Sequence, residues 1–132
     1  MKNKRILFLT KYTRIGASSR YRTFQYLPYL DKAGVPYKVA PLFGEDYLKS
    51  IYTTKRHNPV NVIKYYIKRI FYLLTAKNYD ILFIEGELLP YFPGILEKIL
   101  SYFQIPYILD YDDATFTHYK NMNFSFINLF VL

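Results

Sequence analysis

Cysteine is absent from all 132 residues, which excludes disulfides and thiolate metal sites and fits a reducing compartment. Tryptophan is absent too, and histidine occurs only twice, too few for a multi-histidine metal centre. Glycine is scarce at five residues. Neither the three-glycine dinucleotide fingerprint nor a phosphate loop closing on lysine is present. No stretch approaches the ~20 consecutive apolar residues that span a bilayer. The basic segment 1–5 and the apolar run 6–9 are too short for a secretory signal, and no small-residue cleavage site follows. Acidic residues are few, 10 against 18 Lys and Arg, giving a net charge of +8. That surplus favours anionic partners. No compact Lys/Arg run, RNA-recognition motif or zinc-finger spacing accompanies it, so nucleic acid is not expected as a partner.

What the chain does hold is apolar and aromatic: 52% hydrophobic, with sixteen Tyr and eleven Phe. Such a composition specifies a packed core, and the length suits one domain. The run Arg5–Thr10 predicts a strand buried on both faces. A polar loop with Gly16, Ala17, Ser18 and Ser19 follows, and Ser18 or Ser19 is expected to cap a helix over 20–33. That helix places Tyr21, Phe24, Leu27 and Leu30 toward the core, kinks at Pro28 and stops at Gly34. A second strand is expected over 36–42, then a less regular stretch over 43–58, read as a short helix followed by the basic loop Lys55, Arg56 and His57. Asn58-Pro59 opens a helix to Lys77 that buries Ile63, Ile67, Ile70 and Leu74 and turns Lys64, Lys68 and Arg69 outward. A third strand spans 81–84, a third helix 90–103 and a fourth strand 105–109. Strand and helix alternate throughout, which predicts an α/β fold: a Rossmann-like, doubly wound parallel sheet. Residues 121–132 form an apolar tail, read as a truncated element.

Five groups of residues are candidates for chemistry or binding. The strongest is Asp110, Asp112 and Asp113, directly behind the fourth strand. Ligands of parallel sheets bind beyond the carboxyl ends of the strands, and clustered carboxylates there are costly unless something uses them. A solvated turn is the plain alternative. The Gly16 loop with Ser18, Ser19, Arg20 and Arg22 is the second. Two arginines in a first helical turn oppose the helix dipole unless an anion lies between them; an ordinary turn with solvated arginines is the competing reading. Third come Glu85 and Glu87, at the same sheet edge, able to accept hydroxyl protons from a sugar or to complement a helix dipole. His118 could bind an acceptor or shuttle a proton, or be a simple edge residue. The Lys49–Arg69 region, with Tyr and basic residues interleaved, fits either an anionic membrane surface or a solvated helix face.

Three segments in order, Lys11–Arg22, Glu87–Pro90 and Leu109–Ala114 (Leu-Asp-Tyr-Asp-Asp-Ala), resemble the N-terminal domain of GT-B glycosyltransferases, in particular the retaining family 4 group with a DYDDA-type motif. The likeness extends to about Lys120. It implies an acceptor-side Rossmann-like domain over 1–120, facing a donor-binding domain that is absent here, so this chain alone would be inactive. The implied reaction transfers a sugar from a nucleotide-diphosphate donor to a glycan or lipid-linked acceptor in cell-surface polysaccharide assembly, in the cytoplasm or at the inner face of the plasma membrane, without a metal. Carried over, the Gly16 loop approaches the donor phosphates, Arg20 offers charge to acceptor or diphosphate, and Asp112 and Asp113 flank the reacting centre. Gly86 stands where such enzymes are expected to carry a basic residue, and the donor-site basic residue and Glu-x7-Glu motif have no counterpart. Two other readings compete: a metal-dependent GT-A transferase using Asp110 and Asp112 as a DxD pair, and a non-catalytic module that binds a membrane or partner.

Overall fold

The computed structural model describes residues 4–54, 59–90, 92 and 94–111. The continuous apolar run near the N-terminus forms strand β1, Ile6–Leu9. Its side chains alternate between two cores: Leu7 and Leu9 enter one, Phe8 the other. Strand β2 is Tyr37–Val39, β3 is Ile81–Glu85 and β4 is Tyr107–Asp110. In β3 the same period of two sends Leu82 and Ile84 to the first core and Phe83 to the second. Among the described residues the three strand pairings are all parallel, in the order β2-β1-β3-β4. The architecture is therefore α/β with a four-stranded parallel sheet, compatible with a Rossmann-like fold. The chain moves outward from β1 to β2, then returns across it to lay β3 on the other side. That reversal between β1 and β3 is the topological switch point, where open α/β sheets bind ligands.

The first helical region differs from the single helix expected over 20–33. A short helix α1, Ala17–Ser19, continues as a π-helical turn over Arg20–Phe24, and a separate helix α2 covers Leu27–Lys32. Pro28 explains the break. It has no N–H to give the Phe24 carbonyl, so it sits in the first turn of a new helix instead. Phe24, Leu27 and Leu30 pack on the Phe8 side of the sheet, whereas Tyr21 is exposed. Gly34 ends α2 with φ +65°, and Val35 N–H reaches back to Leu30 O, the left-handed closure that glycine permits. The cap is also not Ser18 or Ser19. Gly16 occupies that position, and both serines lie inside the helix.

The short helix expected within 43–58 is α3, Glu45–Thr54, with Glu45 and Asp46 complementing its N-terminal dipole. Helix α4 is Pro59–Leu74, and a 3-10 turn over Ala76–Asn78 follows it. The basic residues 55–57 lie outside the described residues. Helix α5 is Ile95–Tyr102, shorter than the 90–103 expected. Both α4 and α5 supply the first core: Tyr72, Leu73 and Leu96 pack against Leu7, Leu9, Leu82 and Ile84, with Leu100 among the buried members.

The face of α4 is the reverse of the one expected. Ile63, Ile67, Ile70 and Leu74 are exposed, while Arg69 is 2% exposed. The inward face carries Val62, Tyr65, Tyr66, Tyr72 and Leu73. Both faces are apolar enough to satisfy helical periodicity, so spacing alone does not choose between them. Hydrogen bonding favours the tyrosine face. Tyr65 donates to Asp46 Oδ2 at 2.6 Å and Tyr66 to Pro90 O at 2.8 Å, so their hydroxyls are satisfied as the rings pack inward. Outside, each Ile or Phe forgoes about half of the roughly 1.5–3 kcal/mol that full burial gives.

Candidate functional site at the carboxyl edge of the sheet

β1 and β3 end side by side, so Thr10, just past β1, and Glu85, the last residue of β3, stand at the switch point. Glu85 is only 2% exposed. A carboxylate this deep requires donors. Ser19 supplies one to Oε1 at 3.0 Å, Ser18 a second at 3.3 Å, and the Lys11 N–H reaches Oε2 at 3.3 Å. Ser19 Oγ in turn accepts the Tyr12 N–H at 3.0 Å. Thr10 Oγ1 donates to Tyr12 O at 2.8 Å. The loop of residues 11–19 is thus wrapped onto a buried acid that lies far away in sequence. Gly16 is buried within this loop, where a Cβ would sit 2.5 Å from Tyr12 Cβ. Its lack of a side chain serves the loop's closure on its own tyrosine.

Arg69 reaches the same strand ends from α4. Its Nη2 donates to Thr10 O at 2.6 Å, while Nε and Nη1 have no hydrogen-bond partner. Burial pushes this guanidinium down to about 9, and the negative charge of Glu85 works against that fall. It stays charged at neutral pH. A buried cation and a buried anion therefore share the space beneath the first loop. Sequence reasoning missed Arg69 by turning it outward. The available signal was its place in the middle of the tyrosine stripe, with Tyr65 and Tyr66 one turn before it and Tyr72 and Leu73 one turn after.

Register sets Asp110 beside Glu85 on β4. Arg22 Nε donates to Asp110 Oδ2 at 2.9 Å, and Arg22 Nη2 donates to the Asp110 main-chain oxygen. The anion sought for the basic first turn is thus Asp110 of the same chain, at least for Arg22. Arg20 is exposed and lies over the Tyr21 ring, 5.5 Å from its centre. Gly86 adopts φ +72° just past β3, and its N–H donates to Asp110 O at 2.9 Å. Glu87 is half-buried near Tyr111. Burial raises the Tyr111 phenol, with the charges of Glu87 and Glu97 adding to the rise. Glu97 Oε1 accepts the Leu88 N–H at 3.1 Å and so fixes the segment after Gly86.

Ser18, Ser19, Arg22, Glu85 and Asp110 therefore come together; Gly16 shapes their loop, and Arg20 stands apart. Asp112, Asp113 and His118 lie outside the described residues, as does the 121–132 tail. Among the described residues no group of three or more His, Cys, Asp or Glu forms a candidate metal cluster. No helix there is long and apolar enough to cross a membrane. Chemically, the edge is a rim in which the Ser18 and Ser19 hydroxyls are bonded to the Glu85 carboxylate and the Arg22 guanidinium to Asp110. It can hold a loop and the exit of β4 in fixed positions for a polar ligand above them. No family model, curated protein or solved structure matches this chain.

Proposed function

We propose that this chain is the acceptor-side domain of a GT-B type glycosyltransferase, moving a sugar from a nucleotide-diphosphate donor to a glycan or lipid-linked acceptor. One observation carries the reading. The Gly16 loop, part of one segment resembling that family, is bonded at the switch point through Ser18 and Ser19 to Glu85, and Arg22 of the same segment to Asp110, the first acid of the Leu109–Ala114 segment. Asp112 and Asp113 follow Asp110 in sequence after Tyr111 and are the proposed groups that orient the acceptor hydroxyl. In the reaction the acceptor oxygen bonds to the anomeric carbon as the bond to the diphosphate breaks. The electron pair departs on the diphosphate, and the acceptor proton is passed to a basic oxygen nearby. Glu85 acts as a positioning residue that holds the loop, and Arg22 fixes the β4 exit. Because Arg22 already supplies positive charge to Asp110, the metal-free reading is favoured over a GT-A pair that would use Asp110 to hold a cation. The donor is expected to bind chiefly to a second Rossmann-like domain, and the work to take place at the cytoplasmic side of the membrane.

The test is nucleoside-diphosphate release from a panel of nucleotide-sugars, with lipid-linked acceptors extracted from membranes, using the protein in the longest form its gene encodes. Acceptor-dependent release that is lost in Asp112→Asn and Asp113→Asn variants supports the reading. Release without acceptor dependence, or none across the panel together with no acceptor binding, removes it. Activity that needs added Mn²⁺ and disappears with chelator would favour the GT-A alternative.

A further inference from the structure

The outward face of α4 is the largest feature that the switch-point site leaves unexplained. Ile63 is 59% exposed, Ile67 49%, Ile70 42%, Phe71 63% and Leu74 73%. At about 100° per residue these five fall within an arc of roughly 100° along the helix. Lys64 and Lys68, both exposed, run along one flank of that arc. Three residues past Leu74, the Lys77 ammonium lies 4.7 Å from the centre of the Phe103 ring, which is itself exposed.

Charge decides what fits this surface. No acidic residue occurs between Asp46 and Asp80, whereas Lys49, Lys64, Lys68 and Lys77 all do. A second copy docked by the same face would bring lysines together with no acid from this stretch to pair them. The chain's own tail, 121–132, is apolar but carries no acid either. An anionic bilayer answers both properties at once. Its acyl boundary takes the Ile, Phe and Leu side chains, and its phosphates take the lysines, whose long stems let the ammonium reach the headgroups.

We propose that α4 is a peripheral membrane-docking helix that lies flat on an anionic lipid surface, its Ile63–Leu74 stripe entering the headgroup boundary. The inward face, anchored by Tyr65, Tyr66 and Arg69, remains packed on the sheet, so docking needs no unfolding. This inference is independent of glycosyl transfer: vesicle binding reports on the helix, whereas acceptor-dependent release with a detergent-soluble acceptor reports on the site.

The experiment is co-sedimentation of the full chain with phosphatidylcholine vesicles, with and without phosphatidylglycerol. Binding is expected to the anionic vesicles, to weaken with added salt, and to fall to background in the Ile67→Glu/Phe71→Glu variant. Reversing the flank with Lys64→Glu/Lys68→Glu is expected to lower the partition coefficient about tenfold or more. All four positions are exposed, so an unchanged circular-dichroism melt is expected. Should the first variant fail to fold, the second still decides. Equal binding to neutral and anionic vesicles, or binding unaffected by either variant, overturns the proposal. So does a stable dimer that Ile67→Glu/Phe71→Glu converts to monomer while vesicle binding is absent.

Discussion

Ser19 donates its hydroxyl to Glu85 Oε1 at 3.0 Å across 66 positions of sequence, and Ser19 Oγ itself accepts the Tyr12 N–H. One small side chain thereby joins the first loop to the end of the central strand β3. Ser19→Ala leaves the Tyr12 N–H without this acceptor and removes one donor from a buried carboxylate. We expect a loss of about 1–3 kcal/mol. Ser18→Ala should cost less, because its bond is longer and less buried. Urea unfolding with an unchanged m-value reads both.

Glu85 and Arg69 make a second comparison. Glu85→Gln keeps the shape but removes the negative charge that offsets the buried guanidinium. It should destabilise the fold by roughly 3 kcal/mol, the usual cost of leaving a buried charge uncompensated. Arg69→Met should cost less, since Nε and Nη1 lose no partner and Glu85 keeps its three donors. The double variant should recover part of the Glu85→Gln loss. A double-mutant cycle giving additive effects would show that the two charges do not interact.

Two glycines should fail for different reasons. Gly16 has φ −69°, which alanine tolerates, but the new Cβ would meet Tyr12 Cβ at 2.5 Å. Gly86 has open space around it and φ +72°, so alanine there pays only in backbone strain. Gly16→Ala is expected to cost about 2–3 kcal/mol through overpacking, Gly86→Ala about 1–2 kcal/mol. Adding Tyr12→Ala should relieve part of the first loss and leave the second unchanged, as measured by urea midpoints.

Tyr65 and Asp46 give a pH signature. Burial, then the neighbouring Asp46, pushes the Tyr65 phenol up to about 12. The Tyr65 hydrogen bond holds the Asp46 carboxyl below its ordinary value. A raised phenol contributes stability that is whole below the ordinary value of about 10 and is lost as pH rises toward 12. A lowered carboxyl contributes stability that is present above the ordinary carboxylate value and lost as pH falls below it. Tyr65→Phe should therefore flatten both limbs of the pH–stability curve. Ring-carbon NMR of labelled tyrosine should show a phenol titration raised toward about 12 vanish.

The strands were legible because a parallel strand buried on both faces needs an uninterrupted apolar run. Ile6–Leu9 and Ile81–Ile84 have few other ways to satisfy their side chains. Pro28 and Gly34 were legible as punctuation, since each acts through its own backbone. The face of α4 was not. Ile63, Ile67, Ile70 and Leu74 satisfy helical spacing as well as the tyrosine stripe does, and only the acceptors Asp46 and Pro90, brought near by the fold, select the tyrosines. The site was half legible. Glu85, Asp110 and the Gly16 loop could be assigned to one sheet edge from strand order, but their partners could not.

By itself, then, the sequence determined the alternation of strand and helix, the basic surface and the acids that end β3 and β4. These depend on local pattern and composition, which act within a few residues. The tertiary structure alone decided that Ser19 and Glu85 bond, that Arg22 takes Asp110, that Arg69 is buried beneath Thr10 and that an apolar stripe is left facing outward. Each of those outcomes is a choice among chemically adequate partners, and what decides it is which groups the crossover between β1 and β3 brings within hydrogen-bond reach.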